Sequence, residues 1–324
     1  MEHSEVDTNR RSVFELWESK PVSCAWAALP LALACLWAPG CGLRQERFAT
    51  PEEAARALVV AVRSENSEEV GRILGRGGKE VVSSGDEVAD RQTRQRFLTA
   101  YDEKNSLVAE PDGSVTLQVG QDDWPMPIPI VNTKDSWRFD TARGKDEILN
   151  RRIGRNELSV QQVCLALVDA QREYIATDRN GDGVPEYAQK LISDPGQKNG
   201  LYWETSADEP PSPAGPLVAD AAEEGYGQRK NEGGQRRPFH GYYFKLLKSQ
   251  GPNAPGGARE YVVNGRMTEG FALVAWPAQY GNSGVMTFLV SHQGVVYERD
   301  LGRRTERIAS SITSFDPDPG WNVE

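Results

Sequence analysis

The spacing of apolar residues divides the chain into stretches of different period. From Thr50 onward, Ala54, Ala57, Leu58, Ala61 and Val62 recur at intervals of three and four, the stripe of one helix face. Thr50-Pro51-Glu52-Glu53 opens that helix with a capping threonine, a proline in the first turn, and a glutamate that completes a capping box. Asn66-Ser67 ends it and caps a shorter helix through Val70, Ile73 and Leu74, which Gly75-Arg76-Gly77-Gly78 stops. A third helix is predicted after Asp86, with Val88, Phe97, Leu98 and Tyr101 turned inward. From Asn105 the period falls to two: Val115, Leu117 and Val119 alternate with polar residues, as in a half-buried strand.

Trp124-Pro125-Met126-Pro127-Ile128-Pro129-Ile130 carries three prolines, which remove ladder donors, so it reads as an extended edge or loop. Trp137-Arg138-Phe139-Asp140 reads as the next strand. A long helix follows, with Val160, Val163, Cys164, Leu167, Val168, Tyr174 and Ile175 on its buried stripe. Beyond it the chain is rich in loops, proline-rich from Asp208 to Pro216 and glycine-rich and basic from Gly225 to Pro238. Strands return at Tyr242 to Leu247, Tyr261 to Val263, Phe271 to Trp276, Val285 to Val290 and Val295 to Arg299, and a last short helix is expected to bury Ile308 and Ile312. The pattern predicts an α+β protein. An N-terminal module of helices and a small antiparallel sheet over 48–145 is followed by a long helix packed on an antiparallel meander over 146–324.

The segment before this pattern is of another kind. The apolar stretch from Ala25 to Ala38 is broken by Pro30 and closed by Pro39 and Gly40, too short and too interrupted to span a bilayer as a stable helix. With Arg10, Arg11 and Lys20 upstream, residues 1–40 read as a signal peptide. Ala38-Pro39-Gly40-Cys41 resembles a lipobox, which makes Cys41 the expected lipidation site and 41–47 a polar tether. Cleavage at Cys35, or an anchor that is never cleaved, are the rival readings. Removing the first forty residues takes Cys24 and Cys35, and lipidation would take Cys41, so Cys164 is left as the one free cysteine with no intramolecular disulfide available, and its place on a helical stripe makes it a buried inert thiol. The net charge is −10, of which residues 1–40 carry five acids and three bases, so the remainder stands at −8. That balance argues against nucleic acid or anionic lipid as a main partner. The expected location is the cell envelope, anchored to the membrane by the N-terminal lipid, with a secreted soluble protein as the alternative.

Longer motifs carry a family resemblance. Ser84-Gly85-Asp86, Arg96-Phe97-Leu98-Thr99-Ala100-Tyr101-Asp102, Asp123-Trp124-Pro125, Arg152-Ile153-Gly154-Arg155-Asn156-Glu157-Leu158, Ala170-Gln171-Arg172-Glu173-Tyr174, Gly200-Leu201-Tyr202-Trp203 and Tyr280-Gly281-Asn282-Ser283-Gly284-Val285-Met286-Thr287-Phe288 together resemble the family DUF2950 over nearly all of the chain after the signal segment. The resemblance implies a bacterial, exported protein, often a lipoprotein, and brings no activity or catalytic residue with it. By order of elements, residues 48 to 142 are similar to the cone-shaped domains of the nuclear-transport-factor-2-like superfamily. The C-terminal half is similar to the heads of type IV pilins and pseudopilins, although a whole domain precedes its helix where pilins begin with an apolar one.

Candidate chemistry is sparse. Asp178-x-Asn180-x-Asp182-Gly183-x-x-Glu186 places oxygen ligands at positions one, three, five and nine of a calcium loop, and Val184 offers its carbonyl. The twelfth position is Gln189 instead of a bidentate glutamate, and the competing reading is an Asx turn that ends the helix. After residue 40 the histidines are His240 and His292, each in a turn-like setting, and Gly281-Asn282-Ser283-Gly284 lacks the last glycine of a nucleophile elbow. Arg151, Arg152 and Arg155 either clamp an acidic ligand or the other domain, or pair with Glu147 and Glu157 on a solvated face, and Arg229, Lys230, Arg236 and Arg237 read as a flexible basic loop. Trp203, Tyr202, Tyr242, Tyr243 and Trp276 either line a groove or fill the core. The expected function is a non-catalytic binding or scaffolding protein of the envelope, acting on an envelope protein or glycan, with no cofactor beyond calcium. A cell-envelope hydrolase and a pilin-like assembly protein are the alternatives.

Overall fold

The computed structural model describes residues 44–206, 208–224, 226 and 237–324. The signal segment, Cys41 and the basic residues Arg229, Lys230 and Arg236 lie outside the described residues.

The first three predicted helices form where their caps stand. Helix α1 (Pro51–Arg63) starts on Thr50, whose hydroxyl accepts from Glu53 N–H, and α2 (Ser67–Leu74) starts on Asn66, whose carboxamide accepts from Glu69 N–H. Between α2 and the next predicted helix the glycine run does more than stop the chain. Left-handed Gly77 turns it into an unforeseen short helix, α3 (Gly78–Val82). Asp86 then caps α4 (Glu87–Glu103) by accepting from Val88 and Ala89 N–H. Phe97, Leu98 and Tyr101 of α4 are only half-buried, because an open cavity rather than a packed wall faces part of this helix.

A five-stranded antiparallel sheet follows, in which Asn105–Ala109, Val115–Val119, Ile130–Asn132 and Trp137–Phe139 lie side by side. The proline-rich segment contributes Trp124–Pro125, paired to the end of Val115–Val119 as missing donors require, and rejoins the sheet only at Ile130, past its last proline. Leu58, Ile73, Leu117, Ile128, Ile130 and Phe139 close one hydrophobic cluster between α1, α2 and this sheet.

Helix α5 (Thr141–Ile175) runs for 35 residues, so the expected boundary at 145/146 falls inside a continuous helix. Its first turns adjoin α3 and the N-terminal cluster through Ile148, whereas Val160, Cys164, Leu167 and Val168 belong to a second cluster. Gly144 is where α5 meets the proline-rich segment: a Cβ there would lie 2.2 Å from the Pro127 carbonyl oxygen. After α6 (Gly215–Glu223) comes a second antiparallel sheet, ordered Asn322–Val323, Val296–Asp300, Met286–Ser291, Ala272–Pro277, Tyr242–Leu247. All six residues of Ala272–Pro277 are buried, which alternation forbids unless both faces are covered. This strand contacts α5 and the last helix, α7 (Thr305–Ser311). In α7 the buried residues are Thr305 and Ala309, and the expected Ile308 and Ile312 are half-buried, since a helix this short presents one turn to the sheet. The protein is α+β.

Candidate functional site

Helix α4 puts polar side chains where a core helix would be apolar. Asp90, Thr93, Arg94, Phe97 and Ala100 share one face at helical spacing and line a cavity of about 520 Å3. The opposite walls are apolar: Leu58, Ala61 and Val62 of α1, Val70 and Leu74 of α2, Val81 and Val82 of α3, then Val119, Met126 and Ile148. Trp124, 40% exposed, stands at the opening. Arg151, Arg152 and Arg155 of α5 complete the lining with Arg94 and Arg96, so five arginines face two carboxylates, Glu65 and Asp90.

The arginines are not equivalent. Arg151 holds Glu147 at 2.6 Å and lies over the Trp124 ring, 5.9 Å from its centroid. Arg152 is buried and donates to the Glu80 carbonyl at 2.8 Å, the Val81 carbonyl and Asn282 Oδ1. Burial lowers its pKa, with nearby Asp90 acting against that shift. Asp90 is buried too and accepts from Ser84 N–H and, at 2.8 Å, its hydroxyl; burial raises its pKa, opposed by those bonds and by Arg152. Arg94, Arg96 and Arg155 make no ion pair among the described residues. The Arg155 pKa is lowered, first by burial and then by the like charge of Arg96.

Beneath the cavity, three of the sequence motifs meet. Asp86 accepts from Gly241 N–H and the Tyr226 hydroxyl, both at 2.8 Å, besides capping α4. Asn282 donates to the Ser83 carbonyl, and Asn156 to the Ser283 carbonyl. Glu157 accepts from Val285 and Met286 N–H. Ser283 is fully buried, and its hydroxyl is engaged by Gln279 backbone groups within its own turn. These residues form a joint between the two halves of α5's packing, without an exposed nucleophile among them.

His240 does meet a carboxylate: its Nε2 lies 3.5 Å from Glu224, and its ring packs on Phe239 and Tyr226. Burial lowers its pKa, with Glu224 and Asp86 opposing. Neither His240 nor His292 lines the cavity. The Cys164 thiol is buried on α5 and pushed up to about 12 by burial. Tyr242 and Trp276 are core residues, and Tyr202, Trp203 and Tyr243 pack half-buried against the same cluster.

The Asp178 loop is an exposed turn past the end of α5. Asp178 accepts from Gly181 and Gly183 N–H, which lowers its pKa, and Asp182 accepts from Val184 N–H. Asn180 reaches Asp182 at 2.9 Å and Glu186 at 3.0 Å, while Arg266 holds Asp182 at 2.6 Å. Among the described residues no three His, Cys, Asp or Glu side chains are grouped to hold a metal ion. Nor is any helix among them long and apolar enough to cross a membrane.

Sequence reasoning missed Arg94, Arg96 and the cavity. The available signal was Asp90, Thr93 and Arg94 on the stripe that carries Phe97. A family model described as "Protein of unknown function (DUF2950)" matches residues 45–323. No curated protein and no solved structure matches the chain, so the likenesses to nuclear-transport-factor-2-like and pilin folds rest on element order.

Proposed function

We propose that this chain, which belongs to the DUF2950 family of proteins of unknown function, is an exported, lipid-anchored envelope protein that acts by binding rather than by catalysis. The observation that carries the reading is the cavity of about 520 Å3, a size usual for small-molecule sites, with a mostly apolar lining and convergent cations. Its walls contain no histidine or cysteine, and their hydroxyls are Ser67 and Thr93, neither with a base aligned on it. Ligand capture needs only this shape and charge.

Two measurements test the reading together. The mature N-terminus by mass spectrometry is expected to be an acylated Cys41, and a peptide beginning elsewhere would remove the anchor. The apolar dye N-phenyl-1-naphthylamine is expected to bind the full chain with enhanced emission, and Thr93→Trp, placed on the exposed rim of the lining, is expected to abolish that signal. A dye signal unchanged by Thr93→Trp would sink the cavity as the site.

Calcium at the Asp178 loop belongs to the same proposal. Its support is the convergence of Asn180, Asp182 and Glu186 side chains, with the Glu186 pKa raised by burial and then by Asp182. Arg266 would have to leave Asp182 for the ion, which sets a weak site, with affinity on the order of millimolar. Millimolar calcium is expected to raise the melting temperature, an effect that Asp182→Ala removes and Arg266→Ala strengthens. No calcium effect in any of the three proteins would refute it.

A further inference from the structure

We propose that the occupant of the cavity is a single-chain amphiphile with an anionic head, its hydrocarbon tail between α1, α2 and the sheet and its head at Arg94, Arg96 and Arg155. This rests on the cavity being a binding site, as argued above, and adds what it binds. The argument is one of unpaired chemistry. The deep walls, among them Leu58, Val62, Val70, Leu74 and Met126, offer nothing to a sugar or a free inorganic anion and leave a polar ligand unbonded. The lining, in turn, holds cations that no carboxylate among the described residues pairs with, in a protein whose net charge is −10. A wholly apolar ligand would cover these guanidinium groups without replacing their water.

Only a molecule apolar along its length and negative at one end satisfies both. Arg96 and Arg155 both line the cavity and their like charges act on one another, and an anion held by both turns that repulsion into two charge-assisted bonds. The neighbouring cations are already committed, Arg151 to Glu147 and Arg152 to backbone carbonyls and Asn282. This leaves α4 and the outer face of α5 as the two sides of the head-group clamp. The joint beneath the cavity fixes them relative to one another through Arg152.

Calorimetric titration of the full chain, stripped of copurified lipid, with dodecanoate, dodecyl phosphate, dodecanol and dodecyltrimethylammonium tests this, each below its micellar concentration. At least one anionic probe is expected to bind about tenfold or more tighter than dodecanol. The ratio of dodecanoate to dodecyl phosphate then tells a carboxylate head from a phosphate one. Shortening the tail by one methylene should weaken binding roughly fourfold. The Arg96→Ala/Arg155→Ala double variant is expected to erase the preference for anions, read as the ratio of anion to dodecanol affinity within that variant. Both residues reach solvent and neither makes an ion pair among the described residues, and circular dichroism of the variant checks that the fold is retained. Dodecanol or the cationic probe binding as tightly as the anions, or the double variant keeping the preference, would overturn the inference while leaving the cavity a binding site. No binding by any probe would overturn both.

Discussion

Replacing Arg152 with alanine is expected to destabilise the folded chain by about 2–3 kcal/mol, the cost of leaving buried oxygen acceptors without their charged donor. Arg152 is 9% exposed and joins three parts of the chain at once: the Glu80 and Val81 carbonyls at α3, Asn282 in the turn before Met286–Ser291, and the field of Asp90. Alanine leaves two carbonyls and a carboxamide oxygen without this donor, and removes a favourable charge near the buried Asp90. The partners differ in what they demand. Asn282 still donates to the Ser83 carbonyl and Gln279, so its own position survives. Asp90 keeps the bonds from Ser84 but loses the only favourable charge among its pKa determinants.

The double variant Arg152→Ala/Asp90→Asn is therefore expected to recover part of the loss, since the unpaired charge goes with its partner. The pH dependence has a definite sign. The Asp90 pKa is already raised by burial above that of a free carboxyl in the folded state, so its protonated form favours folding and that contribution fades as pH rises through the raised value. Without Arg152 the folded value rises further. The Arg152→Ala deficit should thus shrink as pH falls through that window, and should lose this dependence when Asp90 is asparagine. Urea unfolding followed by fluorescence and circular dichroism measures both. A deficit below about 1 kcal/mol, or one independent of Asp90, would show that Arg152 is not the hub of the joint.

A clamp on the other domain was one reading of the arginine cluster, but which arginine makes the joint was not legible, as Arg151 and Arg152 show. Both stood beside Glu147 and Glu157 in a run of charges, and a solvated face was one natural reading. For Arg151 it holds, with Glu147 four residues away. Adjacent helix positions point about 100° apart, however, so one of two neighbours can face solvent while the other faces protein. Which one does so depends on contacts with Glu80 and Asn282, far away in sequence. Local signals were legible: Thr50, Asn66 and Asp86 cap the helices they were expected to cap. The three prolines kept 124–129 out of the sheet interior, while Ile130, past the last of them, pairs with strands on both sides. The capping role of Asp86 was readable from its neighbours, but its bond to Gly241 spans 155 residues and has no local signature. The cavity was hidden for the same reason, since a polar residue on an apolar stripe reads as noise until the facing wall is known.

Asp86 separates these local and distant roles experimentally. Asp86→Ala is expected to cost about 3 kcal/mol or more, with about 1 from the lost helix cap and the rest from the abandoned Gly241 N–H and Tyr226 hydroxyl. Gly241 cannot readily move to compensate. It lies at φ +76, and a Cβ there would come within 2.8 Å of Asn156 and 2.9 Å of Ser283, so its backbone is wedged against the joint. Asp86→Asn divides the two contributions. Its carbonyl oxygen can still accept from Val88 and Ala89, but its amide turns a donor toward the Gly241 N–H. Hydrogen exchange reads the two sites independently: alanine should strip protection from the amides of Val88, Ala89 and Gly241, asparagine from Gly241 alone. Tyr226→Phe leaves Asp86 its three backbone donors and should cost about 1 kcal/mol. If asparagine and alanine cost the same, or Gly241 stays protected in both, then the carboxylate is only a helix cap. The start of α4, and with it the polar wall of the cavity, would then be positioned by something other than its bond to the C-terminal sheet.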